Sequence, residues 1–125
     1  MPGIARQTHM QVVHYLRKRV NFNDSGITTG VIMGTLPAGA MITNQNVRMV
    51  VALNNATTNA LNVGTTAGGT QFFTDVATAG ARSPTIANLS FVSDTDVFVQ
   101  LTGTGAAATT GQGDIVISYS VNNDL

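Results

Sequence analysis

One segment, residues 34–64, constrains the fold of this chain more than any other. It opens with the turn sequence Leu-Pro-Ala-Gly at 36–39, where proline supplies a fixed φ and glycine closes the turn. Apolar side chains then recur at every second position, which places them on one face of a strand: Val47, Met49, Val51 and Leu53. Small polar residues at 54–59 interrupt the pattern before it resumes. The segment predicts a turn, a strand at 46–53, a polar loop and a short strand at 60–64.

The polar composition favours the same structural class. The chain has no glutamate and one lysine, Lys18, and charged residues make up only 10% of it. Glutamate and lysine are strong helix formers that cover solvated helix faces, so their scarcity argues against helices. Threonine suits a pleated, half-buried surface, whereas glycine and asparagine suit turns. The composition therefore indicates an all-β protein.

Alternation and turn signals divide the chain into about eight strands, the number typical of an antiparallel β-sandwich of jelly-roll type. A helix is the alternative for residues 10–22, but the β-branched residues there favour a strand. Residues 77–84 are predicted to form a loop that contains Arg82. The last two strands are predicted to pair as a hairpin whose flexible tip is 102–113. Besides the two strands of the 34–64 segment, the predicted strands are 10–22, 27–36, 86–92, 96–101 and 114–121, and residues 71–76 form either a short strand or an irregular packing segment.

The length of 125 residues predicts a single sandwich domain at 10–125, preceded by an extended N-terminal arm at 1–9. The absence of cysteine excludes disulfides and thiolate metal sites. No apolar run approaches the roughly 18 residues of a membrane span, and the N-terminus lacks the apolar segment of a secretory signal. The formal net charge of zero gives no global field that would attract nucleic acid. We therefore expect no membrane and no direct nucleic-acid partner.

The residues that could perform chemistry do not form a recognisable site. His9 and His14 are five positions apart and point to opposite faces of a strand, so they cannot bind one metal together. Asp94 and Asp96 supply at most two calcium ligands, and Asp114 reads as an ordinary carboxylate at the start of a strand. The sequence contains neither a phosphate-binding Gly-Lys-Ser/Thr nor a Gly-x-Ser-x-Gly elbow. We predict no catalytic residues, no metal and no cofactor, and hence no enzymatic activity.

Several of these motifs together carry a resemblance that spans residues 27–121. The series G-x-LPAGA-x-I, V-x-M-x-V-x-L, LNVGTT and DVFVQLTGTG…GQGDIVISYS resembles small structural proteins of tailed-bacteriophage virions. The type most similar is the capsid decoration or cement protein with a jelly-roll-like β-sandwich. Fold and function are separate matters, because head–tail joining and tail proteins share such sandwiches.

The resemblance implies a non-enzymatic virion protein that is made in the host cytoplasm and resides on the capsid surface. There it would bind and bridge subunits of the major capsid protein and so stabilise the DNA-filled head. It would also self-associate as a dimer or trimer. The alternative is a head–tail joining or tail component whose loops recognise the host.

The basic residues are the first candidates for partner contacts. On a strand, Arg17 and Arg19 share a face and Lys18 opposes them. Such a cluster either protects a solvated edge strand against aggregation or makes ionic contact with an acidic partner. Val97, Val99 and Leu101 are predicted to point inward, and Phe98 lies on the opposite face of their strand, which indicates either a two-sided core or a subunit interface. The predicted partner-contact residues are Arg6, Arg17, Lys18, Arg19, Arg48, Arg82 and Phe98.

Overall fold

Eight β-strands form two four-stranded antiparallel sheets. The structure is a computed structural model that describes residues 13–85 and 90–121, and within these ranges no helix occurs. The strands are β1 (Val13–Asn21), β2 (Val31–Leu36), β3 (Met41–Val51), β4 (Thr58–Gly64), β5 (Phe73–Asp75), β6 (Gly80–Arg82), β7 (Thr95–Thr104) and β8 (Gln112–Ser120). The first sheet, called sheet A, has the order β1-β8-β3-β6, and sheet B has the order β2-β7-β4-β5.

The strand pairing identifies the topology. The first strand pairs with the last, β2 with β7, β3 with β6, and β4 with β5. This pairing arises when a chain folds back on itself once in the middle and the paired halves are then wound into two sheets. It is the pairing of a jelly roll. The predicted all-β sandwich of jelly-roll type is therefore confirmed. The predicted arm at 1–9, with Arg6 and His9, lies outside the described residues.

The core forms between the sheets from the apolar positions of the alternating patterns. Val97, Val99 and Leu101 of β7 face Ile115 and Ile117 of β8 across it, and all five are buried. Phe72 is the largest of the fully buried side chains. Burying one side chain of this kind contributes about 1.5–3 kcal/mol, so a shared core of this size provides the main stabilisation of both sheets.

The long strand β3 differs from its prediction at both ends. It begins at Met41 rather than at residue 46, because its first residues pair with the C-terminal half of β8. A bulge between Met49 and Val51 shifts the register, so Val51 is 43% exposed instead of buried. Leu53 is buried nevertheless, since its amide bonds to the Ala77 carbonyl (3.1 Å) where the chain leaves the sheet.

Two further boundaries were predicted wrongly for reasons of backbone geometry and pairing. Residues 27–30 form a turn rather than the start of β2, with Gly30 at a φ of 132° that favours glycine. The predicted loop at 77–84 contains β6, whose three residues are a strand because β3 offers them a hydrogen-bonding edge. In the predicted strand at 86–92, residues 86–89 lie outside the described ranges and Ser90 makes one isolated bridge to Met41.

The predicted hairpin of the last two strands is also wrong. β7 belongs to sheet B and β8 to sheet A, so the connection between them passes from one sheet to the other. The predicted tip is fastened there, because the side-chain carbonyl of Asn54 accepts hydrogen bonds from the amides of Thr109 (2.7 Å) and Thr110 (2.9 Å). The backbone of Ala56 also donates to the Ala106 carbonyl at 3.1 Å.

We predict that Phe72→Ala lowers the free energy of unfolding by about 3–5 kcal/mol, because it leaves a cavity between the sheets. Val92→Ala is the matched control, since Val92 is 98% exposed, and a surface change of this kind stays within about 0.5 kcal/mol. Urea denaturation monitored by circular dichroism measures both. Equal effects of the two substitutions would contradict the described core.

Candidate partner interface

The outer face of sheet A brings side chains from three strands into a regular grid. Across the sheet, the register of β1, β8 and β3 aligns them in three rows: Tyr15–Ser118–Asn44, Arg17–Val116–Asn46 and Arg19–Asp114–Arg48. We call these nine residues the arginine face. Its three arginines and one aspartate carry a formal charge of +2 in a chain whose net charge is zero.

Asp114 lies at the centre of the charged row. Arg19 donates two hydrogen bonds to it, from Nε to Oδ1 and from Nη2 to Oδ2, each 2.9 Å long. The Nη2 atom of Arg17 lies 4.0 Å from Oδ2, and Arg48 stands opposite Asp114 on the other neighbouring strand. A bidentate pair of this type fixes the guanidinium plane, so Asp114 holds Arg19 in one orientation on an otherwise solvated surface.

The charges of this row determine the protonation of Asp114. The hydrogen-bonded Arg19 guanidinium lowers the pKa of Asp114 below its ordinary value of 3.8, although burial of the carboxylate works in the other direction. The positive charges of Arg17 and Arg48 lower the pKa further. The carboxylate is thus ionised at neutral pH and compensates one of the three arginine charges.

The structure thus unites three of the predicted contact residues and places Lys18, Arg82 and Phe98 elsewhere, while Arg6 lies outside the described residues. Arg17, Arg19 and Arg48 share the arginine face, as the odd–even pattern of β1 predicted for the first two. Lys18 points to the opposite side of β1, toward sheet B. The role of Asp114 was missed: the alternation of β8 indicates that it faces outward, but only the pairing of β1 with β8 places it beside Arg19.

Arg82 is engaged within the chain instead. Its Nε and Nη2 atoms donate to the two carboxylate oxygens of Asp75, each at 2.7 Å, and Nη2 also donates to the Thr78 carbonyl. Because β5 lies in sheet B and β6 in sheet A, this pair joins the edges of the two sheets. Asp75 also accepts the Ala77 amide at 3.0 Å. We call Asp75 and Arg82 the edge clasp.

Two effects oppose each other at Asp75. Burial alone would raise the pKa of this carboxyl, because its side chain is only 6% exposed. The hydrogen bonds from Arg82 and the Ala77 amide, with the charge of Arg82, outweigh burial and hold the pKa of Asp75 below its ordinary value. The ionised pair therefore stabilises the native edge at neutral pH.

Phe98 lies on the outer face of sheet B, half-buried, in register with Ile32 on β2 and Gly64 on β4. It is thus not part of a two-sided core; its prediction as a partner contact is untested. The rest of this face is mostly uncharged. A chain of hydrogen bonds crosses it from Thr74 to Asn62 (2.6 Å), from Asn62 to Gln100 (2.9 Å) and from Gln100 to the Thr28 carbonyl (2.8 Å).

The remaining polar groups of the described residues offer little for catalysis. His14 stacks on Tyr119 with ring centroids 5.7 Å apart, consistent with a partly buried strand histidine. A cleft of about 750 Å³ runs beside the edge clasp, and the ionisable groups among its lining residues are Asp75 and Arg82, which bind each other. Within residues 13–85 and 90–121 no three metal-ligating side chains cluster. Nor does this part of the chain contain a helix long and apolar enough to cross a membrane.

We predict that the edge clasp contributes to stability whereas the exposed arginine on β1 does not. Arg82→Gln leaves the buried Asp75 without its bidentate partner and should lower the free energy of unfolding by about 2–3 kcal/mol. Arg17→Gln, its matched control, should change stability by less than about 0.5 kcal/mol, as exposed ion pairs usually do. Urea denaturation at pH 7 measures both values. A larger loss for Arg17→Gln than for Arg82→Gln would refute this assignment.

The two lowered carboxyl pKa values predict a loss of stability in acid. Both groups have a lower pKa in the folded chain than their ordinary value of 3.8. Their contribution is therefore complete above that value and disappears as the pH falls through the lower native pKa. In denaturation curves at a series of pH values, the wild type should lose stability below about pH 4 more steeply than Asp75→Asn/Asp114→Asn. Parallel curves for the two proteins would contradict the expectation.

Comparisons with known proteins give no sequence relative. No protein-family model matches the chain, and no curated protein matches it. Solved structures, in contrast, share its fold. A chain of the capsid asymmetric unit of cyanophage Pam1 is 24% identical with a TM-score of 0.72, over 98% of this chain and 100% of that chain.

Two other capsid structures show the same fold at lower identity. A chain of the acid-stable capsid of Helicobacter pylori bacteriophage KHP30 is 18% identical with a TM-score of 0.64, over 88% of both chains. A chain of the capsid of Ralstonia phage GP4 is 16% identical with a TM-score of 0.61, over 100% of this chain and 92% of that chain. The resemblance to structural proteins of phage virions is therefore confirmed at the level of the fold.

Proposed function

We propose that this chain is a non-enzymatic structural protein of a bacteriophage virion. Within that class, we propose a decoration protein that binds the capsid surface and bridges subunits of the major capsid protein. The chain would be made in the host cytoplasm and then join the assembled head.

The observation that carries this proposal is the extent of the match to the Pam1 capsid. Because the alignment covers 98% of this chain and all of the other, the two chains are of nearly equal length. The likeness thus extends over nearly all of this chain and over the full length of that capsid chain, rather than over one domain within a larger capsid chain. A separate chain of this size within a shell suits an accessory protein added to it.

The described surface is compatible with a binding role. Both sheets present an outer face, one with three arginines and the other mostly uncharged. The ionisable groups of the described cleft neutralise each other. A protein that acts through such faces needs shape and charge but no reactive group.

Stabilisation of the head would follow from mass action. A ligand that binds only the assembled shell lowers the free energy of that state, by about 2.7 kcal/mol at a free concentration one hundred times the dissociation constant. Self-association as a dimer or trimer belongs to the same proposal, since several linked copies would bind several capsid subunits at once and with higher avidity. The head–tail or tail alternative has less support, because the similar structures are capsids and the 105–111 connection is fastened to the body of the protein.

We predict that the purified protein binds saturably to heads of its own phage from which it has been omitted. Cosedimentation with increasing protein measures the number of sites, and the temperature at which the heads release DNA should rise with occupancy. Heads that already carry their full complement are the control and should bind no more. Absence of saturable binding to the depleted heads would refute the decoration role.

A further inference from the structure

The arginine face has the composition of a protein-binding surface. Tyr15 is 65% exposed at its corner, whereas the other aromatic side chains of the chain are buried or half-buried. Tyrosine and arginine are enriched in protein interfaces and dominate their binding energy, whereas lysine and glutamate are depleted there. The smaller side chains of Val116 and Ser118 lie on the central strand of the grid, between β1 and β3.

The charges of this face are left partly uncompensated by the described chain. Arg19 is matched by Asp114, Arg17 lies at the limit of ion-pair distance from the same carboxylate, and Arg48 stands opposite it on β3. One carboxylate thus lies among three arginines, two of which can still form full bidentate pairs with other carboxylates. The charge complement of this surface is therefore acidic.

The partial neutralisation also prepares the face for binding. The two arginines on β1 and the one on β3 would repel one another without Asp114 on β8 between them. The bidentate pair holds Arg19 in one orientation, so less side-chain entropy is lost when a partner is bound. Arg19 and Asp114 thus already form an ion pair within the face, and the carboxylates that would pair with Arg17 and Arg48 are left for a partner to supply.

We propose that the arginine face binds a carboxylate-bearing surface of a capsid subunit, with Arg17 and Arg48 each pairing with a carboxylate and Tyr15 packing beside them. This inference rests on the proposed decoration function and names the face and the partner chemistry. Arg17 and Arg48 lie two strands apart, so the two carboxylates should be on the order of 10 Å apart. Nucleic acid is disfavoured, because two uncompensated charges give few phosphate contacts and Asp114 repels phosphate at the centre.

The test compares Arg17→Gln with Lys18→Gln in the cosedimentation assay with depleted heads. The two residues are adjacent on β1 and point to opposite faces of sheet A, so each substitution removes one positive charge from the same strand. Arg17→Gln should weaken binding roughly tenfold or more, as loss of an interface arginine does, while Lys18→Gln should change it less than about twofold. Arg17→Gln/Arg48→Gln should weaken binding further and reduce its dependence on salt.

Each outcome decides a different question. If the wild type does not bind the heads, the decoration role itself fails. If the wild type binds and the arginine variants bind equally well, the role stands and the arginine face is the wrong surface. Wild-type binding to a 20-base-pair DNA duplex that is lost in Arg17→Gln/Arg48→Gln would overturn the inference in favour of nucleic acid. A lower solution mass of that variant by light scattering would assign the face to contacts between copies of this chain instead.

Discussion

The alternation of side chains along β8 is the constraint on which the rest of the structure depends. β8 is a central strand of sheet A and pairs on one side with β1 and on the other with β3. Its inward residues Ile115 and Ile117 are fully buried against sheet B, while Asp114 and Val116 face outward. Because side chains alternate strictly along β8, this one strand supplies buried core residues on its inner side and the central residues of the arginine face on its outer side. A shift of its register by one residue would destroy both.

The few charges of the chain are used in two different ways. The edge clasp is largely removed from solvent and links two strands that belong to different sheets. The Arg19–Asp114 pair has the same bidentate geometry but lies on one sheet, with additional arginines around it. In the edge clasp, the two guanidinium donors of Arg82 are matched by the two carboxylate oxygens of Asp75, so the charges of the pair compensate each other. The second arrangement carries excess positive charge, and an unmatched charge on an exposed face is a feature that a partner can use.

The sequence predicted local features well where period and turn chemistry act alone. The alternation in β7 placed Val97 and Val99 in the core correctly, and the scarcity of helix formers identified the all-β class. The predictions were wrong where the conformation or burial of a segment depends on pairing with a strand that is distant in the sequence. β6 is a strand only because β3 lies beside it, and Val51 is exposed only because a bulge shifts the register against β8. The predicted hairpin failed for the same reason, since adjacency in sequence does not tell which sheet a strand joins.

The sequence by itself determined which residues of a regular strand share a face and that the chain forms a sandwich, because the period of two is a property of each strand alone. It also determined that Arg17 and Arg19 share one side of β1 and Lys18 the other. Only the tertiary structure decided that Arg48 joins them around Asp114, and that Arg82 is occupied by Asp75. The contacts around Asp114 join residues up to 95 positions apart in the chain. They depend on the order of strands in a sheet, which long-range hydrogen bonding sets and local pattern does not encode. The Asp75–Arg82 contact spans only seven positions, but it depends on how the edges of the two sheets meet.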